Sequence, residues 1–147
     1  MALAENKKAF YDYEILETLE AGIELVGVEV KSLRAHGATL EGAHVIIRGG
    51  EAFLIQMSIP PFQVANTPKD YDPVRVRRLL LNKAEINKLA NIESGRGLTI
   101  VPIKVYNKNR VIKVAVAVAR GKKEFDKRQS IKKRESDRES RRTLKYE

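Results

Sequence analysis

The amino-acid sequence predicts a mainly β fold, a small antiparallel β-barrel with a few short helices and a basic C-terminal tail that is conditionally helical. Three observations predict it. Several short runs alternate apolar and polar residues and are separated by turn residues. One stretch alone, after Asn82, combines helical spacing with signals for both helix ends. Residues 120–147 carry charge where a core would need apolar side chains.

With 147 residues the chain has room for one domain, residues 1–119, and an appendage, residues 120–147. A hydrophobic content of 43% supports a folded body, and 32% charged residues support a soluble one. There is no apolar run of the ~18 residues that a membrane span needs. The N-terminus lacks the apolar core of a secretory signal. Zero cysteines exclude a disulfide framework, a thiolate nucleophile and Cys-ligated metals. A cytoplasmic monomer is expected, and a net charge of +9 predicts a polyanionic partner, most often nucleic acid.

Taken in order, residues 1–12 read as a short arm docked by the rings of Phe10 and Tyr11. Tyr13 to Leu19 alternates as a strand, Glu20-Ala21-Gly22 reads as a turn, and Ile23 and Leu25 begin a second alternation. Val28 to Arg34 fits either a strand or a short helix, ended by Gly37. Ala43–Arg48 and Glu51–Met57 flank Gly49-Gly50 as a hairpin. Pro60-Pro61 breaks the sheet, and residues 62–73 form a polar loop. Asn82 followed by Glu85 is a capping-box pair for a helix over about Lys83–Glu93, with Gly95 as its stop. Leu98–Tyr106 and Arg110–Ala119 are β-rich runs around Asn107-Lys108-Asn109.

No catalytic constellation stands out, so the protein reads as a non-enzyme without cofactor or metal. His36 and His44 lack further ligands and read as surface or half-buried residues. No GxxxxGK[ST] loop is present. The positive signal is basic clustering, at Lys31 with Arg34 and at Arg75, Arg77 and Arg78, residue types that contact phosphates. The tail adds 12 Lys or Arg against 6 Asp or Glu, so +6 of the net +9 lies in it. Ordering it costs roughly 1–2 kcal/mol of backbone entropy per residue, more than Phe125, Ile131, Leu144 and Tyr146 can offset. Past Gly121 it has no glycine or proline, so it reads as disordered alone and helical against a polyanion.

Four groups of residues occur together in a fixed order: Glu20-Ala21-Gly22-Ile23; Glu29-Val30-Lys31-Ser32-Leu33-Arg34; Asp72-Pro73 with Arg75, Arg77, Arg78 and Leu79-Leu80-Leu81; and Gly121-Lys122-Lys123 with Asp126-Lys127-Arg128. In these the chain resembles the SsrA-binding protein (small protein B) family, the bacterial partners of transfer-messenger RNA, over nearly its whole length. The resemblance implies an oligonucleotide-binding-type barrel that holds the tRNA-like domain of that RNA and imitates an anticodon stem. It implies a tail that enters the decoding centre and the empty mRNA channel of a stalled ribosome and becomes helical there. By position, Glu20, Leu80 and Asn82 match residues implicated in RNA binding, and Lys31, Ser32 and Arg34 lie in the family's most characteristic motif. Lys31 and Arg34 are expected to meet phosphates. Leu80 packs either against the RNA or against the barrel. The decoding-centre tail is expected to use Gly121 as hinge, with Lys122, Lys123, Asp126, Lys127, Arg128, Lys132, Lys133 and Arg134. Phe125, His44, Phe10 and Tyr11 depart from the family's usual side chains. A small basic structural ribosomal protein is the competing reading.

Overall fold

The computed structural model describes residues 2–63, 65, 68–95 and 97–122. In chain order they form β1 (Ala2–Glu5), α1 (Lys7–Asp12), β2 (Tyr13–Ile23), α2 (Gly27–His36), β3 (His44–Arg48), β4 (Glu51–Ile55), β5 (Arg77–Leu80), α3 (Lys83–Ser94), β6 (Leu98–Lys108) and β7 (Val111–Gly121). The strands make one sheet in the order β1-β6-β7-β2-β5-β4-β3, each neighbouring pair antiparallel. The sheet curls until β3 approaches β6, and α3 lies against both. No described helix is long and apolar enough to cross a membrane.

Alternation decides which face turns inward. In β7, Ile112, Val114 and Val116 are buried while Val111, Lys113 and Ala115 face outward. Leu33, Leu54, Leu79, Leu89 and Ile100 join them in a continuous core. Leu89 is the helical contribution of α3, and full burial of such a side chain stabilises by about 1.5–3 kcal/mol. Asn82 caps α3 by accepting from the Glu85 N–H at 2.8 Å, and Glu85 accepts from the Asn82 N–H at 3.1 Å. From the far end of α3, the Glu93 carboxylate accepts from the Ile47 N–H of the outermost strand β3 at 2.7 Å and pairs with Arg48.

Two sequence expectations change. Glu20-Ala21-Gly22 is not a turn, because β2 runs unbroken through it, pairing with β7 and then β5. Gly22 serves a close approach instead: a Cβ there would stand 3.1 Å from Leu80 Cβ. The N-terminal arm docks by Asn6, Ala4 and Ala9, with Tyr11 half-buried, whereas Phe10 is exposed and does not anchor it. The buried Asn6 amide accepts from the Ala9 N–H at 3.2 Å and donates to Leu40 and Pro102 carbonyls at 3.3 and 3.0 Å. The hairpin at Gly49-Gly50 and the capped helix form as the sequence predicts.

The ambiguous Val28–Arg34 segment is helical, and a buried carboxylate fixes it. Glu29, on the first turn of α2, accepts from its own Val26 N–H at 2.9 Å. It also accepts from Arg75 Nη2 at 2.6 Å and from Arg77 Nε at 2.8 Å. Arg77 completes its set on the Met57 and Pro73 carbonyls at 2.6 and 3.0 Å. The side chains of Glu29 and Arg77 are 1% and 0% exposed. Burial pushes the Glu29 carboxyl up, but the bonds from Arg75, Val26 and Arg77 outweigh it and hold it below the usual carboxylate range.

Three outcomes check this frame. Glu29→Ala strands Arg77 in the core and lowers stability by about 3–5 kcal/mol by denaturant melt, whereas Glu29→Leu with Arg77→Met recovers most of it. Equal midpoints for Glu29→Ala and wild type would refute the network. Because the folded carboxyl lies below its ordinary value of 4.5, its contribution is complete above that pH and fades as pH falls further; the wild-type advantage over the double variant therefore shrinks only in acid. Gly37, at φ +78° with the Leu3 carbonyl 2.9 Å from an added Cβ, tolerates no side chain, and Gly37→Ala costs about 1–3 kcal/mol in the same melt.

Candidate nucleic-acid interface

The outer face of β6, β7, β2 and β5 collects the residues that the sequence singles out from distant segments. Register sets one transverse row, with Tyr106 opposite Lys113, Lys113 opposite Gly22 and Gly22 opposite Leu80. Leu79 points into the core and Leu80 outward, 47% exposed. Glu20 stands two residues before Gly22 and so shares this face, and Asn82 follows Leu80 at the start of α3.

Glu20 is the acid at the centre of this basic surface. It accepts from the Tyr106 hydroxyl and from Lys108 Nζ at 3.1 Å. The Tyr106 hydrogen bond, then that of Lys108, draw its carboxyl below the ordinary value, so it stays ionised. In return, partial burial and the bond to Glu20 push the Tyr106 phenol up to about 12, so it remains a donor. Lys104 Nζ lies 5.1 Å from the Tyr106 ring centroid, a cation over an aromatic face. A fixed carboxylate accepts from base amines or ribose hydroxyls and repels phosphate, while the surrounding ammonium groups attract it.

Helix α2 borders this face. Lys31 and Arg34 are three residues apart on its exposed side. Arg34 Nη2 donates to the Arg110 carbonyl at 3.4 Å, which brings the helix to the tip of the β6–β7 hairpin. That tip is the two-residue turn Asn109-Arg110, with φ of +50° and +69°. Such a turn favours Asn-Gly, and a non-glycine residue held in the left-handed region pays roughly 1–2 kcal/mol.

The structure separates the predicted site residues. Lys31, Arg34, Glu20, Leu80 and Asn82 are all exposed; Glu20 and Leu80 share the outer sheet face, Asn82 follows Leu80, and Arg34 reaches the tip of the β6–β7 hairpin. Ser32 does not reach a ligand, because it is fully buried and its hydroxyl donates to the Pro60 carbonyl. Arg77 is likewise no phosphate contact, since its guanidinium is enclosed and saturated. Arg75 is half-buried on Glu29, and Arg78 pairs with Glu24 and Glu51 at 3.2 Å each. The three arginines thus compensate carboxylates before they meet any partner. Gly121 is a ladder residue opposite Tyr13 rather than a loop hinge. Lys122 follows it, its N–H donating to the Asp12 carbonyl at 2.8 Å and its Nζ to the Phe10 carbonyl at 2.9 Å. Lys123, Asp126, Lys127, Arg128, Lys132, Lys133 and Arg134 lie outside the described residues. His36 is exposed against Phe62 and His44 is half-buried.

Sequence reasoning missed Lys104, Tyr106, Lys108, Arg110 and Lys113. Their signal was present: Lys104, Tyr106 and Lys108 alternate on one strand, the period-two mark of a shared face.

Comparison with known proteins places the chain in a family. The family model described as SmpB protein matches residues 3–146. An SsrA-binding protein of Thermosipho melanesiensis is 52% identical over 144 residues, covering 97% of either chain. One of Streptococcus uberis is 49% identical over 143 residues, covering 97% of this chain and 92% of the relative. A solved structure described as "tmRNA-SmpB: a journey to the center of the bacterial ribosome" superposes with a TM-score of 0.69 at 44% identity, covering 82% of this chain and 85% of that one. With an interface of this composition and a family match across almost its entire length, the chain belongs to the SmpB protein family.

Proposed function

We propose that this protein is an RNA-binding factor for the rescue of stalled ribosomes by trans-translation, with transfer-messenger RNA and the ribosome as partners. The observation that carries the reading is the exposure of Glu20 and Leu80 on one sheet face, with Asn82 following Leu80 and Arg34 of α2 bonded to the β6–β7 tip, in a chain 52% identical to an SsrA-binding protein. The outer face grips the tRNA-like domain. Lys31, Arg34, Lys108 and Lys113 meet phosphates, Glu20 accepts from a ribose or base edge, and Leu80 offers apolar contact at the β5 end of the row that starts at Tyr106. Arg75, Arg77 and Ser32 hold α2 in place for this purpose. The chain acts by binding and positioning and makes or breaks no covalent bond.

The division of labour follows from where the sheet ends. β7 carries on through Gly121 and Lys122 is anchored to α1, past the domain boundary expected after residue 119, and the basic residues beyond serve the decoding centre and mRNA channel. Lys123, Asp126, Lys127, Arg128, Lys132, Lys133 and Arg134 act there, and the barrel makes the RNA complex.

Truncation after Lys122 leaves affinity for a tRNA-like-domain transcript within about threefold and abolishes peptide tagging in a reconstituted stalled-ribosome assay; parallel loss of both would refute the division. Lys31→Ala with Arg34→Ala weakens RNA binding and flattens the log–log salt dependence by at most about two units, read by filter binding. An unaltered slope removes these residues from the phosphate interface. Co-purification with bulk ribosomes without enrichment of one stable small RNA would favour a structural ribosomal protein instead.

A further inference from the structure

The tip of the β6–β7 hairpin is built against its own backbone preference. Its two turn residues, Asn109 and Arg110, both hold positive φ, and the second position is one that glycine fills without strain. Strain of this kind persists where the side chain is needed, and it concentrates at functional sites. The Arg110 side chain has no hydrogen-bond or ion-pair partner among the described residues, whereas its carbonyl is held by Arg34. The surroundings are cationic: Arg34 reaches the tip, Lys108 and Lys113 lie on the strands that lead into it, and Glu20, already bonded to Lys108 and Tyr106, partly offsets them. An unpartnered guanidinium added to such a surface raises self-repulsion that a polyanion relieves.

We propose that Arg110 is a further RNA-binding residue of this chain, a phosphate-gripping finger at the hairpin tip whose direction Arg34 sets through the turn carbonyl. The assignment deepens the RNA-binding reading above and rests on it. The planar fork of arginine suits a bidentate grip on a phosphate diester that crosses from the sheet face toward α2. Arg34 then has two tasks, one on the RNA and one on the turn, so its loss also loosens Arg110.

The strain sharpens the test, because Arg110→Gly removes the finger while relaxing the turn. Full-length protein is titrated with a transcript of a bacterial transfer-messenger RNA tRNA-like domain across a salt series, and its thermal midpoint is recorded. Arg110→Gly is expected to bind about 3–10-fold more weakly at physiological salt, with a slope shallower by about one unit. Its midpoint stays level or rises by about 3 °C. Arg110→Lys keeps the slope. Lys8→Ala, which removes a cation paired with Glu41 alongside the opposite end of β6, roughly 30 Å away along the strand, leaves slope and affinity unchanged. Unchanged binding by Arg110→Gly overturns the assignment. So does an equal loss in Lys8→Ala, which would make the effect one of net charge alone, and a fall in the midpoint refutes the strained-turn argument on which it stands. If wild type itself fails to bind the transcript, the RNA-binding reading falls and the assignment falls with it. When wild type binds tightly, a full-affinity Arg110→Gly sinks the finger alone and leaves that reading in place.

Discussion

A single carboxylate, that of Glu29, holds the interface in register. It is enclosed in the core, yet it touches three parts of the chain: the N-terminal backbone of α2, the approach to β5 through Arg75, and β5 itself through Arg77. An enclosed charge is tolerable only when its partners are fixed, so the geometry of α2 against β5 has little freedom. Lys31 and Arg34 ride on that helix, and Leu80 rides on that strand. Their separation is therefore set from inside the barrel rather than by contacts on the surface.

The outer face works by contrast of charge. Ammonium and guanidinium groups supply attraction that reads no sequence, and it weakens as salt rises. Glu20 supplies the opposite sign at one point, kept ionised by Tyr106 and Lys108. A carboxylate at that point repels phosphate, and in the proposed RNA complex it would favour a sugar or base edge there instead. Gly22 contributes by having no side chain, which lets Leu80 lie flat across the β2–β5 step.

What the sequence made legible was mostly local. The Gly49-Gly50 hairpin and the Asn82–Glu85 cap depend on neighbours a few residues apart, and both form as expected. The misread features depend on distance along the chain. Gly22 resembles a turn residue until β5 is paired beside it, and Val28–Arg34 is ambiguous until Glu29 finds arginines 46 and 48 positions away. Those same arginines looked like a phosphate cluster because composition does not reveal which cations are already compensated. On the site, Glu20, Lys31, Arg34, Leu80 and Asn82 were named from the sequence, while the β6 and β7 side chains emerged only when register placed Tyr106 and Lys113 beside Gly22.

The outermost strand, β3, ends a sheet whose unpaired amides would otherwise template a neighbour. Glu93 closes that opening by occupying the Ile47 N–H with a charged oxygen and adding Arg48 to the seal. A protein with so sticky an exterior toward nucleic acid must still refuse its own copies when many of them crowd on one polyanion. One helix-borne acid at the seam makes that edge a poorer template for an added strand.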